Sequence, residues 1–448
     1  MFQKKVTLAF QTNISHEMVL VYTHIITPRL TYIFKHIFEN MLSVSIQFTT
    51  AVEVFVAHSG PKFSYTKKQL GNEFFIPAHP LLFEQGVKSQ ELNVERFEGF
   101  PIFFKIKGES FLRFDIFAAS FFLLSRYEEA LPHIKTHQGF FDPAQSIAGQ
   151  FNFLKIPIVD VWIKNLHKTL AKLFPESFEL KDKKKDPKKN VLIEVSTPFR
   201  YKHRSFFVSL GDFFYSLWKF NLLHLFEQLA VLFRIKEDPF DTFKTWKYLF
   251  KSSIVSPKIF FLFSQSSPYE STVSTFNLSY QKIIKTMGDL FSLGLLVSVK
   301  SQLNENEFLS REKKTFQSLT HKFLSDVRMS KGIRDLGLVY ESLVAQEFSS
   351  DYSMGYQNTL GFRAGTATPF YFYNLSNEFL LPLKVNPIIT TEKGLKEMSA
   401  KKAFQLLKDI YENLPLSCSS LTIVISNGFF NPIRENKSWH QEFKNYIK

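Results

Sequence analysis

Apolar and polar residues follow a regular cycle over the second half of the chain. Short, continuous apolar runs alternate with longer amphipathic stretches from residue 191 onwards. The apolar runs predict buried strands over Val191–Val195, Ile259–Phe263, Leu295–Val299, Val327–Met329 and Leu421–Ile425. The amphipathic stretches predict helices over Phe240–Lys251, Tyr280–Phe291, Glu307–Phe323, Leu338–Gln346 and Ala400–Leu414. This order indicates an α/β fold with a parallel sheet, either doubly wound or, as we favour, closed into a (β/α) barrel. Any active site is then expected at the carboxyl ends of the strands.

The first half of the chain mixes strands and helices without a repeat. We predict strands over Val19–Tyr22, Ser45–Thr50 and Ile102–Ile106, and one helix over Phe114–Glu129. These elements indicate a smaller α+β domain at residues 18–180, ahead of the barrel domain at residues 191–448. Residues 1–17 are interpreted as a possible upstream extension, with Met18 as the alternative start.

A lysine-rich segment separates the two predicted domains. Residues 181–190 read KDKKKDPKKN, and Pro187 prevents a helix from continuing through them. We interpret the segment as a solvated linker. An arm that binds nucleic acid is the alternative, but no aromatic side chains lie between the lysines to stack on bases.

The longest apolar stretch of the chain, residues 206–233, is amphipathic. Asp212, Lys219, His224 and Glu227 interrupt it, so it falls short of the roughly 18 consecutive apolar residues of a membrane-spanning helix. We predict helices here that pack on the protein itself, with a helix lying on a membrane surface as the alternative.

Composition narrows the class of protein further. The chain has 448 residues, of which 45% are hydrophobic and 21% charged, as in folded globular proteins. A single cysteine, Cys418, excludes an intramolecular disulfide and favours a cytoplasmic location. The net charge of +14 allows contact with nucleic acid or anionic membranes without requiring either. The sequence contains no phosphate-binding GxxxxGK[ST] motif, no GxSxG and no HExxH.

Four segments carry a resemblance to a known family. They are LVYTHIITPRLTYIFKHIF from Leu20, GNEFFIPAHPLLFEQG from Gly71, FDIFAASFFLLSRYEEALPH from Phe114, and DYSMGY with GFRAGTATPFYFY between Asp351 and Tyr373. Together they resemble bacterial polysaccharide deacetylases of the NodB-homology type that have an extra N-terminal domain of unassigned function. The resemblance covers almost the whole chain after residue 18. It implies a distorted (β/α) barrel with one divalent metal, usually zinc, whose bound water attacks the amide of an N-acetylated sugar.

The positions that the resemblance assigns to metal and catalysis are altered in this chain. The Asp-x-Asp expected after the first strand reads Glu194-Val195-Ser196, so only Glu194 remains as a remnant of the base. Leu296 and Ser330 replace the two metal histidines, and Ser426 replaces the histidine that acts as acid. Zinc needs three or four nitrogen, sulfur or charged oxygen ligands. We therefore predict no cofactor and a metal site that has been lost.

Other residues of the resembling segments retain the family pattern. The resemblance implies a substrate-binding or pocket-wall role for Asp351, Tyr352, Arg363 and Tyr373. Arg363 could anchor a substrate carboxylate or Asp351, and the alternative is an internal ion pair that fixes the loop. His203, after the first strand, is the candidate for a relocated catalytic or ligand role, with an ordinary loop histidine as the alternative.

The sequence leaves three functional hypotheses. The first is a polysaccharide deacetylase-like protein without catalysis that binds glycan or acts as a scaffold. The second is an active zinc-dependent N-deacetylase whose relocated site includes His203 and Glu194. The third is an interaction protein whose basic surface binds nucleic acid or an anionic membrane, and whose binding weakens steeply with salt.

Overall fold

The computed structural model of the protein describes most of the chain. The described residues are 18–106, 110, 112–178, 186–204, 206–251, 253–267, 269–270, 272–303, 305–416, 418–431 and 436–448. The chain divides into two compact units. The first takes in the described parts of Met1–Glu84, Phe104–Ala118 and Ile163–Asp182. The second takes in Gln85–Phe103, Ala119–Trp162 and the described part of Lys183–Lys448. The predicted domain boundaries at residues 18–180 and 191–448 stay a prediction.

The strands form three sheets. A four-stranded sheet in the first unit contains β1 (Met18–Tyr22), β2 (Ser45–Thr49), β3 (Lys62–Thr66) and β4 (Phe75–Pro77). β5 (Glu95–Phe97) and β6 (Phe100–Ile102) pair with each other. A nine-stranded sheet contains β7 (Lys188–Val195), β8 (Lys258–Phe261), β9 (Ser292–Val297), β10 (Asp326–Met329), β11 (Ser350–Asp351), β12 (Phe370–Asn374), β13 (Phe379–Val385), β14 (Thr390–Thr391) and β15 (Ser420–Ser426).

The helices lie between these strands in the chain. Those that begin before β7 are α1 (Pro28–Lys35), α2 (Val52–Ala57), α3 (Ile116–Leu124), α4 (Tyr127–Ala130), α5 (Ile147–Gln150) and α6 (Ile158–Leu173). Those that follow β7 are α7 (Phe206–Trp218), α8 (Leu222–Leu232), α9 (Phe243–Lys251), α10 (Leu278–Leu290), α11 (Val299–Leu303), α12 (Glu305–Thr320), α13 (Leu336–Ala345), α14 (Glu392–Lys396), α15 (Ala400–Glu412) and α16 (Lys437–Ile447). Within the described residues, no helix is both long and apolar enough to cross a membrane.

The sheet of the first unit differs from the predicted α+β arrangement. Its strand order is β2-β1-β3-β4, and all three of its ladders are parallel. Helices α1 and α2 lie in the connections that lead from β1 to β2 and from β2 to β3, so these strands run in the same direction. The core is aromatic: the rings of Phe34 and Phe117 stack at 3.9 Å, and Tyr65 meets Phe34 edge-on at 5.0 Å.

The nine-stranded sheet confirms the predicted mixture of helices and parallel strands. Its order is β12-β13-β11-β10-β9-β8-β7-β15-β14, and only the β12–β13 ladder is antiparallel. No ladder within the described part of the chain joins the outer strands β12 and β14, so closure into a barrel stays a prediction.

Two elements differ in their limits from the predicted ones. The predicted linker at 181–190 lies partly outside the described residues, and β7 already begins at Lys188, paired in register with Ser420 of β15. The single helix predicted over Phe114–Glu129 is divided, because Arg126 adopts a left-handed conformation with φ of 53° between α3 and α4.

Candidate functional site

The carboxyl ends of the parallel strands bring together several residues predicted to form the site. Ser426 is the register partner of Glu194, and Glu194 is the partner of Phe260 on β8. Leu296 on β9 is the partner of Arg328 on β10. The register therefore places positions from β7, β9, β10 and β15 at one end of the same sheet.

Glu194, which lies at the predicted base position, forms an ion pair with Arg328. The Arg328 Nε donates to Glu194 Oε2 at 3.0 Å, and its Nη1 donates to the carbonyl oxygen of Tyr352 at 2.7 Å. The Arg328 side chain is only 1% exposed and that of Glu194 is 22% exposed. A buried guanidinium thus provides the positive charge beside this carboxylate. The sequence identified Arg328 only as the first residue of the altered stretch Arg328-Met329-Ser330, and its pairing with Glu194 was not foreseen because the two residues are 134 positions apart.

Leu296 lies in an apolar cluster on one face of the sheet. Its fully buried side chain belongs to a group formed by Leu192, Phe260, Leu262, Leu296, Ile388 and Val424. Gly294 of the same strand leaves room for the Phe260 ring, because a Cβ atom there would lie 2.3 Å from Phe260 Cε1. The position of a metal histidine in the resembled family is therefore part of a closely packed core here.

Ser330 belongs to a buried group of serines and glutamates at the ends of β9 and β10. Its hydroxyl bonds to Glu270, whose Oε2 accepts the backbone N–H of Val299 at 2.7 Å. Glu312 Oε1 accepts from the Ser298 hydroxyl at 2.5 Å. Burial raises the pKa of Glu312 to about 7, against the opposing effect of the serine hydrogen bonds. No sequence motif pointed to these glutamates, which lie on a loop and a helix.

Ser426 and Ser196 complete the altered positions. The backbone N–H and hydroxyl of Ser426 both donate to Glu392 Oε2, at 3.0 and 2.6 Å. Ser196 is half-buried directly after β7. Among the described residues, no three His, Cys, Asp or Glu side chains converge so that they could hold a metal ion. A leucine, three serines and a carboxylate already paired with arginine do not fit zinc.

Asp351 and Tyr352 are held by neighbouring side chains and backbone of the same unit. The buried Asp351 carboxylate accepts hydrogen bonds from Tyr340 Oη at 2.8 Å and from Ser353 Oγ at 2.6 Å. Burial raises the pKa of Asp351, and these hydrogen bonds oppose the rise. The half-buried Tyr352 accepts a hydrogen bond at its hydroxyl from Lys258 Nζ at 2.7 Å, and Lys258 also bonds to Asp326.

Arg363 pairs with Glu129 rather than with Asp351. Its Nε and Nη2 reach the two carboxylate oxygens of Glu129 at 2.8 and 2.6 Å. Arg126 Nε also donates to Glu129 Oε1 at 2.8 Å. Burial alone raises the pKa of Glu129, but the two guanidiniums outweigh it and lower the pKa to about 2. The complementary charges of SRYEEA and GFRAG could have indicated this contact.

Three further residues named from the sequence are Tyr373, His203 and Cys418. Tyr373 is fully buried, and its hydroxyl donates to Glu378 Oε2 at 2.9 Å. His203 is exposed, and its ring lies 4.9 Å from that of Phe199. Cys418 is half-buried, 3.6 Å from the Thr368 hydroxyl, and burial raises the pKa of its thiol. Substrate-binding roles for Asp351, Tyr352, Arg363 and Tyr373 stay predictions.

Comparisons with known proteins add a family of unknown function and two solved structures. Residues 19–175 match the profile of DUF7033, a family of unknown function, which is less than half of the chain. None of the curated protein sequences compared with the chain matches it.

The two solved structures are distant. One, from Mycobacterium smegmatis, is assigned as a polysaccharide deacetylase; it is 9% identical, covers 59% of this chain and 84% of its own, and gives a TM-score of 0.38. The other is a mutant of a CE4-family pseudoenzyme with restored activity; it is 7% identical, covers 58% of this chain and 61% of its own, and gives a TM-score of 0.30. TM-scores this low do not establish a shared fold.

Proposed function

We propose that residues 191–448 form a distorted (β/α) barrel of the polysaccharide deacetylase type that has lost metal-dependent hydrolysis. In this proposal the protein binds glycan or serves as a scaffold. The observation that carries it is the pairing of Glu194 with the buried Arg328. The proposed cytoplasmic location rests only on the single cysteine of the sequence.

The chemistry of amide hydrolysis explains why this pairing matters. In a metal-dependent deacetylase, the cation makes the attacking water acidic and a nearby donor stabilises the oxyanion. Arg328 balances the charge of Glu194 and repels a second cation. Leu296 lies among apolar neighbours, and Ser330 and Ser426 bond to glutamates. Among the described residues, these positions therefore offer zinc no set of three free ligands.

Zinc titration and an acetate assay test the proposal together. Calorimetry of the full chain is expected to show no stoichiometric zinc binding, and incubation with chitooligosaccharides is expected to release no acetate. Binding of the intact oligosaccharide without acetate release would favour the glycan-binding role over the scaffold role. A variant with Ser196→Asp, Leu296→His and Ser330→His returns all three metal ligands of the resembled family and is the matched control for gained zinc affinity. Tight zinc binding with acetate release by the unaltered chain would overturn the proposal.

An active deacetylase with a relocated site is the second candidate. It requires His203, Glu194 and loop carboxylates to converge on one ion. The exposed position of His203 would allow a loop movement to bring it towards substrate. If the unaltered chain releases acetate and His203→Ala abolishes this while the fold is retained, the relocated site replaces our first proposal.

A further inference from the structure

Helices α7 and α8, with the turn between them and the residues after α8, expose an unusual number of large apolar side chains. We call residues 206–235 the aromatic hairpin. Its exposed apolar residues are Leu210, Phe214, Tyr215, Leu217, Trp218, Phe220, Leu222, Leu223, Phe226, Leu232, Phe233 and Ile235. On α7 they recur three, four and seven residues apart, so they form one continuous stripe. The prediction that these helices pack their apolar side on the protein itself does not account for this stripe.

Two polar side chains of the aromatic hairpin point inwards. Ser216 and Gln228 are buried. The Ser216 hydroxyl lies 2.8 Å from His224 Nδ1, and Gln228 Nε2 donates to the carbonyl oxygen of Ser209 at 3.0 Å. The two helices are therefore joined by hydrogen bonds between polar groups, while the aromatic rings face outwards. A helix that exposes so many large apolar side chains and buries a serine and a glutamine is unusual in water, and the exposed stripe suits an apolar surrounding.

The turn of the aromatic hairpin has a defined conformation and the most exposed rings. Trp218 is 73% exposed and Phe220 is 86% exposed. Phe220 adopts a left-handed conformation with φ of 51°, and the Asn221 side chain caps α8 by accepting from the His224 N–H. Lys219 lies between the two rings in sequence, with its Nζ 5.2 Å from the Trp218 ring centroid. Tryptophan beside lysine is typical of side chains placed at the boundary between lipid and water.

The charges around the aromatic hairpin favour an anionic surface. Between residues 200 and 247 there are eight basic residues and five acidic residues. The basic ones are Arg200, Lys202, Arg204, Lys219, Arg234, Lys236, Lys244 and Lys247. Of the acidic side chains, Asp212 pairs with Arg204 at 2.5 Å, Glu227 accepts from Tyr201 Oη at 2.7 Å, and Asp238 accepts from the backbone N–H of Arg200 at 2.8 Å. The region therefore has a net positive charge beside its apolar stripe.

We propose that the aromatic hairpin docks on the surface of an anionic lipid membrane. Helix α7 has 13 residues, so its length of about 20 Å is shorter than the roughly 30 Å hydrocarbon core. It lies in the interface with its aromatic stripe among the acyl chains near the headgroups. Lys219, Arg234 and Lys236 bind the phosphates of anionic lipids. The proposal does not depend on whether the nine-stranded unit binds glycan.

Sedimentation with lipid vesicles tests the docking of the full chain. We expect binding to vesicles of phosphatidylcholine mixed with phosphatidylglycerol, and much weaker binding to phosphatidylcholine alone. Each basic residue near such a surface contributes about fivefold in affinity. Lys219→Gln with Arg234→Gln should therefore weaken binding about 25-fold. Trp218→Ser with Phe220→Ser should abolish it, whereas Phe276→Ser with Phe323→Ser, which alters equally exposed rings elsewhere, should have no effect.

Tryptophan fluorescence gives a second readout of the same event. Of the four tryptophans, Trp162 and Trp246 are buried and Trp439 is half-buried, so Trp218 reports on the aromatic hairpin. Its emission should shift to the blue on vesicle binding, and Trp218→Phe should remove the shift while keeping most of the affinity. Circular dichroism checks that each variant is folded. The proposal is overturned if the unaltered chain does not bind anionic vesicles or if folded hairpin variants bind equally well. The proposal is also overturned if the same substitutions instead dissociate an oligomer of the chain.

Discussion

The ion pair between Glu194 and Arg328 yields a prediction that can be worked out from the structure. Replacing Glu194 by Gln keeps the size of the side chain and an acceptor for the Arg328 Nε, but it removes the negative charge. The Arg328 guanidinium is 1% exposed, so its charge would remain in the interior with the Tyr352 carbonyl as a neutral acceptor. A buried charge that loses its partner costs about 3–5 kcal/mol. Because the Glu194 side chain is 22% exposed, screening by solvent reduces the expected loss to about 2–3 kcal/mol.

A double-mutant cycle separates the ion pair from the packing around it. We expect Glu194→Gln and Arg328→Met each to lower the free energy of unfolding in urea, followed by circular dichroism. The double variant Glu194→Gln with Arg328→Met should recover most of the loss, because it leaves no buried charge without a partner. Losses below about 0.5 kcal/mol for both single variants, or losses that simply add in the double variant, would refute the reasoning.

Three further predictions concern buried groups of the second unit. Burial raises the pKa of Glu312 from 4.5 to about 7, so the free energy of unfolding falls as the pH rises from 4.5 to 7. In urea unfolding, Glu312→Gln should be more stable than the unaltered chain by about 3 kcal/mol near pH 8 and equally stable near pH 4. Gly294→Ala places a methyl group 2.3 Å from Phe260 Cε1, which should cost about 1–3 kcal/mol and lower the melting temperature. The pKa of Glu129 is lowered to about 2, so its stabilisation is present above pH 4.5 and is lost as the pH falls towards 2. Glu129→Gln should cost about 3 kcal/mol at neutral pH and lose this difference in acid unfolding.

The hydrophobic pattern was sufficient for the central parallel strands of the second unit and insufficient for several shorter elements and for exact limits. Continuous apolar runs identify β8, β9, β10 and β15, because strands covered on both faces need apolar residues at every position. The strand β12 was not predicted, since its aromatic run FYFYN gives no clear period. The start of β7 was also missed, because Lys188 and Lys189 are polar and are recruited by pairing with β15.

The sequence predicted which positions form the candidate site, but it did not predict what their side chains contact. The resemblance identified Glu194, Leu296, Ser330 and Ser426, and the register brings them to one end of the sheet. Their partners could not be predicted, because an ion pair over 134 residues depends on strand order that local sequence does not encode. The exposure of the aromatic rings of the aromatic hairpin could not be predicted either, since amphipathicity alone does not say which face of a helix is buried.

The pairing of β7 with β15 has a consequence for synthesis on the ribosome. Seven consecutive residue pairs link Lys188–Glu194 to Ser420–Ser426. β7 is the first strand of this sheet to be synthesised, and it therefore cannot pair with β15 until one of the last segments of the chain has been translated. Until then, its unpaired edge and the apolar side chains of β7 remain available to chaperones or to other nascent chains. Truncation shortly before residue 420 should yield aggregates rather than a smaller soluble domain, because the missing strand leaves that edge permanently open.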